Sequence, residues 1–169
     1  PGSHFHLGAS LESDASQESA RAPLSGLMRL PRPKGLMVIA VGTIEPRKNY
    51  PVLLDAFDRL QDELDITLVI VGRPGWQTDD VQARIRSHVA YRKRLHYFPR
   101  ASNPLLSSLF SRADALVCAS LHEGFGLPVV EGLHAGLTVL ASDIPVFREI
   151  GGDRLHYFAP DSSASLARA

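Results

Sequence analysis

From Leu36 onward the sequence alternates short apolar runs with stretches whose apolar residues recur at helical spacing, and this alternation limits the fold more than any other feature. Strands are expected at 36–41, 66–71, 95–98, 115–119, 138–141 and 155–158. The first is a continuous apolar run, the mark of a strand buried on both faces, and the second reads as another buried strand. Between them, helices are expected at 51–60, with Leu53, Leu54, Phe57 and Leu60 in register, and at 79–91, with Val81, Ile85 and Val89 on one stripe. Further helices are expected at 105–110 after Asn103-Pro104, at 127–135 closed by Gly136, at 145–150 stopped by Gly151-Gly152, and from 163 to 169. Regular strand–helix alternation implies an α/β, Rossmann-like open parallel sheet of about six strands with helices on both faces. Residues 1–34 carry scattered Ser, Gly and Pro and hold no period for long. They read as a linker and approach segment, partly without order, before a domain at 35–169; Pro1-Gly2-Ser3-His4 has the look of an expression-tag remnant.

Composition narrows the partners. Lys plus Arg equals Asp plus Glu at 18 each, so nothing points to nucleic acid, and any anion affinity has to come from a local cluster. A single cysteine, Cys118, allows no internal disulfide and reads as core filler. No apolar run reaches the roughly 20 residues that a membrane span needs, and no leader pattern opens the chain, so cytoplasm is the expected location.

Ligands of an open parallel sheet bind beyond the carboxyl ends of its strands. The loops that follow strands therefore carry the information, and three stand out: 42–49, 72–76 and 120–126. In the first, Gly42 to Asn49, Arg47 and Lys48 sit between a strand and a helix, where a planar fork and a point charge suit phosphate oxygens; a solvated basic turn is the plainer alternative. In another, Glu123-Gly124-Phe125-Gly126 leads into a helix near Leu127-Pro128, whose free N–H groups and dipole attract an anion. Side chains lean toward a helix N-terminus, so Glu131 can reach back to that mouth while Glu123 flanks it. A carboxylate beside phosphate is unfavourable, and both glutamates suit sugar or ribose hydroxyls better. The alternative leaves Glu123 as a surface charge and Glu131 as a dipole partner. Trp76 lines the cleft or is a surface aromatic. His122 is a candidate for the sugar pocket, His134 is read as packed, and Asp143 and Arg148 as serving a short helix.

Other chemistries lack their signatures. There is no G-x-G-x-x-G after the first strand, no G-x-x-x-x-G-K-[ST], no G-x-S-x-G and no D-x-D, and the seven histidines show no ligand spacing. Neither a bound metal nor a cofactor is expected.

The segments VGTIEPRKNYPVLLDAF, EGFGLPVVEGLHAG and ASDIPVFREIGGD, in this order, resemble the retaining glycosyltransferases of GT-B fold that carry an E-x7-E motif, most of all bacterial polysaccharide mannosyl- and rhamnosyl-type transferases. The resemblance runs over about residues 36–160. It implies one half of a GT-B fold, the donor-binding half, with a nucleoside-diphosphate sugar as substrate. It implies catalytic roles for Arg47 and Lys48 at the departing diphosphate and for Glu123 at the transferred sugar. It also implies donor contacts from Gly42, Arg100, Gly124, Phe125, Gly126, Leu127 and Glu131, with Glu131 on the ribose and Arg100 near the base. The acceptor, a glycan or lipid-linked glycan, would be held by an N-terminal acceptor domain absent from these residues, and any peripheral membrane association would come through that half. Without it the chain would not turn over. A non-catalytic nucleotide-sugar-binding module or subunit, and a phosphorylase or sucrose-synthase-like enzyme, share the fold and stand as alternatives. Departures from the family pattern include Phe98-Pro99-Arg100 where GY is usual and Gly132 where alanine is usual; glycine costs a helix about 1 kcal/mol, so tight packing is expected there.

Overall fold

The computed structural model describes residues 33–169. Six strands form one parallel sheet: β1 (Leu36–Val41), β2 (Ile66–Val71), β3 (Leu95–Phe98), β4 (Ala115–Cys118), β5 (Thr138–Ser142) and β6 (His156–Phe158), in the spatial order β3-β2-β1-β4-β5-β6. Six helices connect and follow them: α1 (Tyr50–Leu60), α2 (Asp79–Ser87), α3 (Asn103–Phe110), α4 (Leu127–His134), α5 (Pro145–Gly151) and α6 (Ser163–Arg168). The expected Rossmann-like architecture is the one observed. Of the expected linker, only Pro33 and Lys34 fall among the described residues.

Strand side chains alternate between two cores, as the pleat dictates. Ala40, Leu68, Ile70 and Val117 face α1, α2 and α6 through Leu54, Phe57, Ile85 and Leu166. Ile39, Val69, Leu116 and Cys118 face α3, α4 and α5 through Leu105, Leu109, Val129 and Phe147. β2, flanked by β3 and β1, is buried along its whole length. Gly132 explains how α4 approaches the sheet. A Cβ there would stand 2.6 Å from Leu116 Cδ2 and 3.0 Å from Val139 Cγ2, so the helix gives up propensity for close packing.

Boundaries follow the sequence reading within one or two residues, with one larger departure. The second helix ends at Ser87 rather than near Tyr91, and Val89 is 78% exposed instead of completing the stripe. His88 turns extended (φ −64°, ψ 136°), its Nε2 meets Asp58 Oδ1 at 2.5 Å, and its Nδ1 accepts the Ala90 N–H at 3.0 Å. That side chain takes a backbone donor the helix would have used. Among the described residues no helix is long and apolar enough to cross a membrane.

Candidate functional site

β1 and β4 are neighbours, yet the chain leaves them in opposite directions, toward β2 on one side and β5 on the other. This is the switch point, where the loops after the two strands part and leave a crevice. The loop after β1 turns at a 3-10 segment, Pro46–Lys48, and enters α1 through Asn49, which holds a left-handed conformation (φ 55°). Asparagine tolerates that region, and its Nδ2 donates to the Pro160 carbonyl at 2.7 Å, tying the turn to the segment before α6. The loop after β4 crosses over to meet it, its Leu121 N–H donating to the Arg47 carbonyl at 2.7 Å.

The two basic residues and the first glutamate converge. Arg47 Nη1 donates to Glu123 Oε2 at 2.8 Å, and Lys48 Nζ donates to Glu123 Oε1 at 2.9 Å and Oε2 at 3.0 Å. Arg47 Nε donates to Glu45 Oε2 at 2.8 Å. Side chains of Lys48 and Glu123 are 13% and 10% exposed, whereas Arg47 is 43% exposed. The lysine–glutamate pair thus lies within the crevice and the arginine at its rim. The crevice is lined by Lys48, Tyr50, Ser120, Glu123, Gly126 and Pro128 over a floor that includes Cys118.

Glycine makes this rim compact. Gly42 has φ 151°, and a Cβ there would lie 3.4 Å from Lys48 Cε, so the lysine stem runs across it. A Cβ on Gly72 would stand 1.8 Å from the Gly42 carbonyl oxygen, and one on Gly75 2.5 Å from the Ile44 carbonyl oxygen. The loops after β1 and β2 are therefore pressed together, stitched by Ile44 N–H to the Arg73 carbonyl (2.8 Å) and Gly75 N–H to the Ile44 carbonyl (2.9 Å). Buried Tyr50 donates its hydroxyl to the Gly42 carbonyl at 2.7 Å, and burial, aided by the negative potential of its neighbours, pushes its phenol well above the usual range. It remains a neutral donor at any ordinary pH.

α4 opens at Gly126, left-handed at φ 72°, with no side chain capping it. Pro128 in its first turn has no N–H to donate. An anion there would meet backbone donors and the positive end of the helix dipole. Gly124 has open space where a Cβ would be, and Phe125 and Leu127 are 63% and 60% exposed, so this side of the crevice faces outward.

Glu131 does not join Glu123. It is exposed and lines a separate cleft of about 630 Å³ with Asn103, Leu106, Ser107 and His134. Gly42 and Arg100 line another cleft with Thr43, Gly72, Arg73 and the same Leu106, so Leu106 separates the two. Burial first, opposed by the charge of Lys48 and aided by those of Glu123 and Glu131, holds the Cys118 thiol up at about 12. This fits inert core filler. His134 is exposed beside Glu131, not packed as expected; Trp76 is a surface aromatic, 61% exposed. Asp143 and Arg148 pair across the start of α5 through two 2.7 Å bonds, and Arg148 stacks 3.8 Å over Tyr157. Among the described residues no group of three or more His, Cys, Asp or Glu side chains could hold a metal.

Sequence reasoning passed over Glu45 and Tyr50, and it singled out the loop 72–76 without giving its glycines a role. The i, i+2 spacing of Glu45 and Arg47 was a signal for the first. Nothing local announces the second, whose partner is a backbone carbonyl eight residues back.

The profile of the family described as "Glycosyl transferases group 1" matches residues 29–169. The chain is 38% identical over 172 residues to the serotype-specific mannosyltransferase WbdA of Escherichia coli, with 99% of the chain covered but only 20% of that protein. Among solved structures, it resembles the C-terminal domain of a glycosyl transferase group 1 family protein (LpcC) from Francisella tularensis, with TM-score 0.67, 24% identity, 79% of this chain and 72% of that one. It likewise resembles Anabaena Alr3699/HepE in complex with UDP, with TM-score 0.67, 21% identity, 93% of this chain and 42% of that one.

Proposed function

Because the chain belongs to the glycosyl transferases group 1 family, we propose that it is the donor-binding domain of a retaining glycosyltransferase. The substrate is a nucleoside-diphosphate sugar, and the mannosyltransferase relative supports a hexosyl group such as mannose. One observation carries the reading: Arg47 and Lys48 converge on a single anion, the Glu123 carboxylate, beside the open end of α4. What holds a carboxylate there suits a diphosphate oxygen equally well.

Glycosyl transfer builds positive charge on the sugar and negative charge on the departing diphosphate. Fixed cations and a helix N-terminus aimed at the leaving group stabilise that charge more in the transition state than before it. On this reading Arg47 and Lys48 take the diphosphate, with backbone N–H groups of the Gly124–Leu127 stretch beside them, and no metal is needed. Glu123, displaced from the cations, turns to the sugar hydroxyls and is not a covalent nucleophile. Glu131, eight positions on, holds the ribose from its own cleft, and Arg100 flanks the base. Gly42 lets the donor approach the backbone. An acceptor-binding half completes the active site, in keeping with the fifth of WbdA that this chain spans. The HepE neighbour, solved in complex with UDP, supports a nucleotide as the ligand class.

Calorimetric titration with UDP, GDP and ADP tests the reading. At least one should bind, and its affinity should collapse in an Arg47→Ala/Lys48→Ala double variant. No binding by any of the three, or undiminished binding by the double variant, refutes it. A Glu123→Gln replacement in the full-length protein separates catalyst from pure binder, since only a catalyst has turnover to lose.

A further inference from the structure

We propose that Glu45 is a positioning residue, holding the Arg47 guanidinium ready for the donor diphosphate once Glu123 releases it. The inference rests on the donor-binding reading above. Arg47 stands at the rim with 43% of its side chain exposed, and an unrestrained arginine loses rotamer freedom when it docks an anion. Here different nitrogens of the guanidinium are held by different carboxylates, Nε by Glu45 and Nη1 by Glu123. Only Glu123 stands where it competes for both Arg47 and Lys48. When a diphosphate displaces Glu123, the bond from Nε to Glu45 persists, and the terminal nitrogens are left for phosphate oxygens.

Glu45 is itself held. Its backbone is extended (φ −145°, ψ 154°), and its carbonyl accepts the Lys48 N–H at 2.9 Å. A Cβ on Gly75 would lie 2.7 Å from Glu45 Cγ, so the glutamate stem fills the space that Gly75 leaves. Its side chain is 19% exposed. A chain of restraint therefore runs from the loop after β2, through Glu45, to Arg47. The cost is a second carboxylate near an incoming anion. It is offset because the guanidinium neutralises Glu45 directly, through a charge-assisted bond.

The test is calorimetric titration of this chain with UDP and GDP, for wild type, Glu45→Ala, Arg47→Ala and the double variant, with thermal melts to confirm folding. Glu45→Ala should weaken the better-bound nucleotide about three- to tenfold, the range expected for losing one charge-assisted hydrogen bond. Glu45→Gln, which still accepts from Nε, should recover most of that loss. In the Arg47→Ala background, Glu45→Ala should change the affinity less than twofold. A loss of equal size in that background means a merely structural role and overturns the proposal, as does full affinity in Glu45→Ala. If wild type binds neither nucleotide, the donor-binding reading falls and takes this inference with it. Should Glu45→Ala fail to fold, Glu45→Asp, too short to reach Nε, replaces it with the same expectations.

Discussion

Replacing Glu123 by glutamine should tighten the grip on a nucleoside diphosphate, although the proposed function places the residue in the donor site. Its carboxylate accepts from Arg47 at 2.8 Å and from Lys48 at 2.9 and 3.0 Å. Any diphosphate that uses these cations first has to displace it. Exposed ion pairs contribute about 0.2–1 kcal/mol, while losing one partner of a fully buried pair costs about 3–5 kcal/mol. Lys48 and Glu123 are mostly buried and Arg47 is not, which places the competition between these limits, at about 1–2 kcal/mol. Glutamine keeps the shape and removes the charge. UDP or GDP should then bind roughly 5–30-fold more tightly. The same substitution deprives a mostly buried lysine of its counter-charge, so the free variant should melt earlier than wild type and gain more on saturation with nucleotide. Calorimetry gives the affinity and a thermal scan the second effect. A variant that folds normally but binds the diphosphate with equal or lower affinity would refute the idea that Glu123 is a resting counter-ion.

Other perturbations report on the frame that holds the site. Gly72→Ala would force a Cβ to within 1.8 Å of the Gly42 carbonyl oxygen, and backbone cannot step aside as a side chain might; a stability loss of at least about 2 kcal/mol is expected in denaturant titration, together with weaker nucleotide binding. Tyr50→Phe leaves the Gly42 carbonyl without its 2.7 Å donor and should cost about 1–2 kcal/mol in the same titration. Because the Tyr50 phenol is raised in the folded state, chiefly by burial, its contribution is complete below the unfolded pKa near 10 and is lost as pH climbs toward the folded value. Wild type should therefore lose stability above about pH 10 more steeply than Tyr50→Phe, as melts across alkaline pH would show. Asp58 has the opposite sign: burial opposes its ionisation, but hydrogen bonds from His88 and Arg84 outweigh this and lower its pKa. Its contribution is present above about pH 4 and disappears as pH falls through the folded value, so Asp58→Asn should flatten the acid limb of the stability profile.

Much of this molecule can be read from the letters, and the reason is physical. A strand covered on both faces, such as Ile66–Val71, has to be apolar almost throughout, with Thr67 its one polar residue, and an amphipathic helix such as α1 has to repeat. These are local demands on composition. Arg47, Lys48 and Glu123 could be singled out because they lie in loops at the carboxyl edge of a parallel sheet, where ligands bind, although a solvated turn and a surface charge fit the same letters. That Glu123 would rest on the cations was not legible, since the pair spans 75 residues and depends on how two loops cross. The opposite expectation, of hydroxyl partners, considered only the liganded protein. Glu131 lay just as clearly in the sequence, yet its helix turns it toward α3 and a different cleft. The failure at Val89 has the same root: periodicity continued while His88 found a partner on α1.

The two sides of the crevice differ in how much they can yield. On one side, Gly72 and Gly75 lie so close to the Gly42 and Ile44 carbonyls that neither could take even a methyl group. On the other, Gly124 borders open space and Phe125 projects into solvent. A nucleotide would thus be pressed against an anvil that cannot deform, while the opposing jaw adapts to whatever sugar it carries. Changes in donor preference within this scaffold should accumulate in the stretch from Leu121 to Leu127, and the anvil should tolerate almost none.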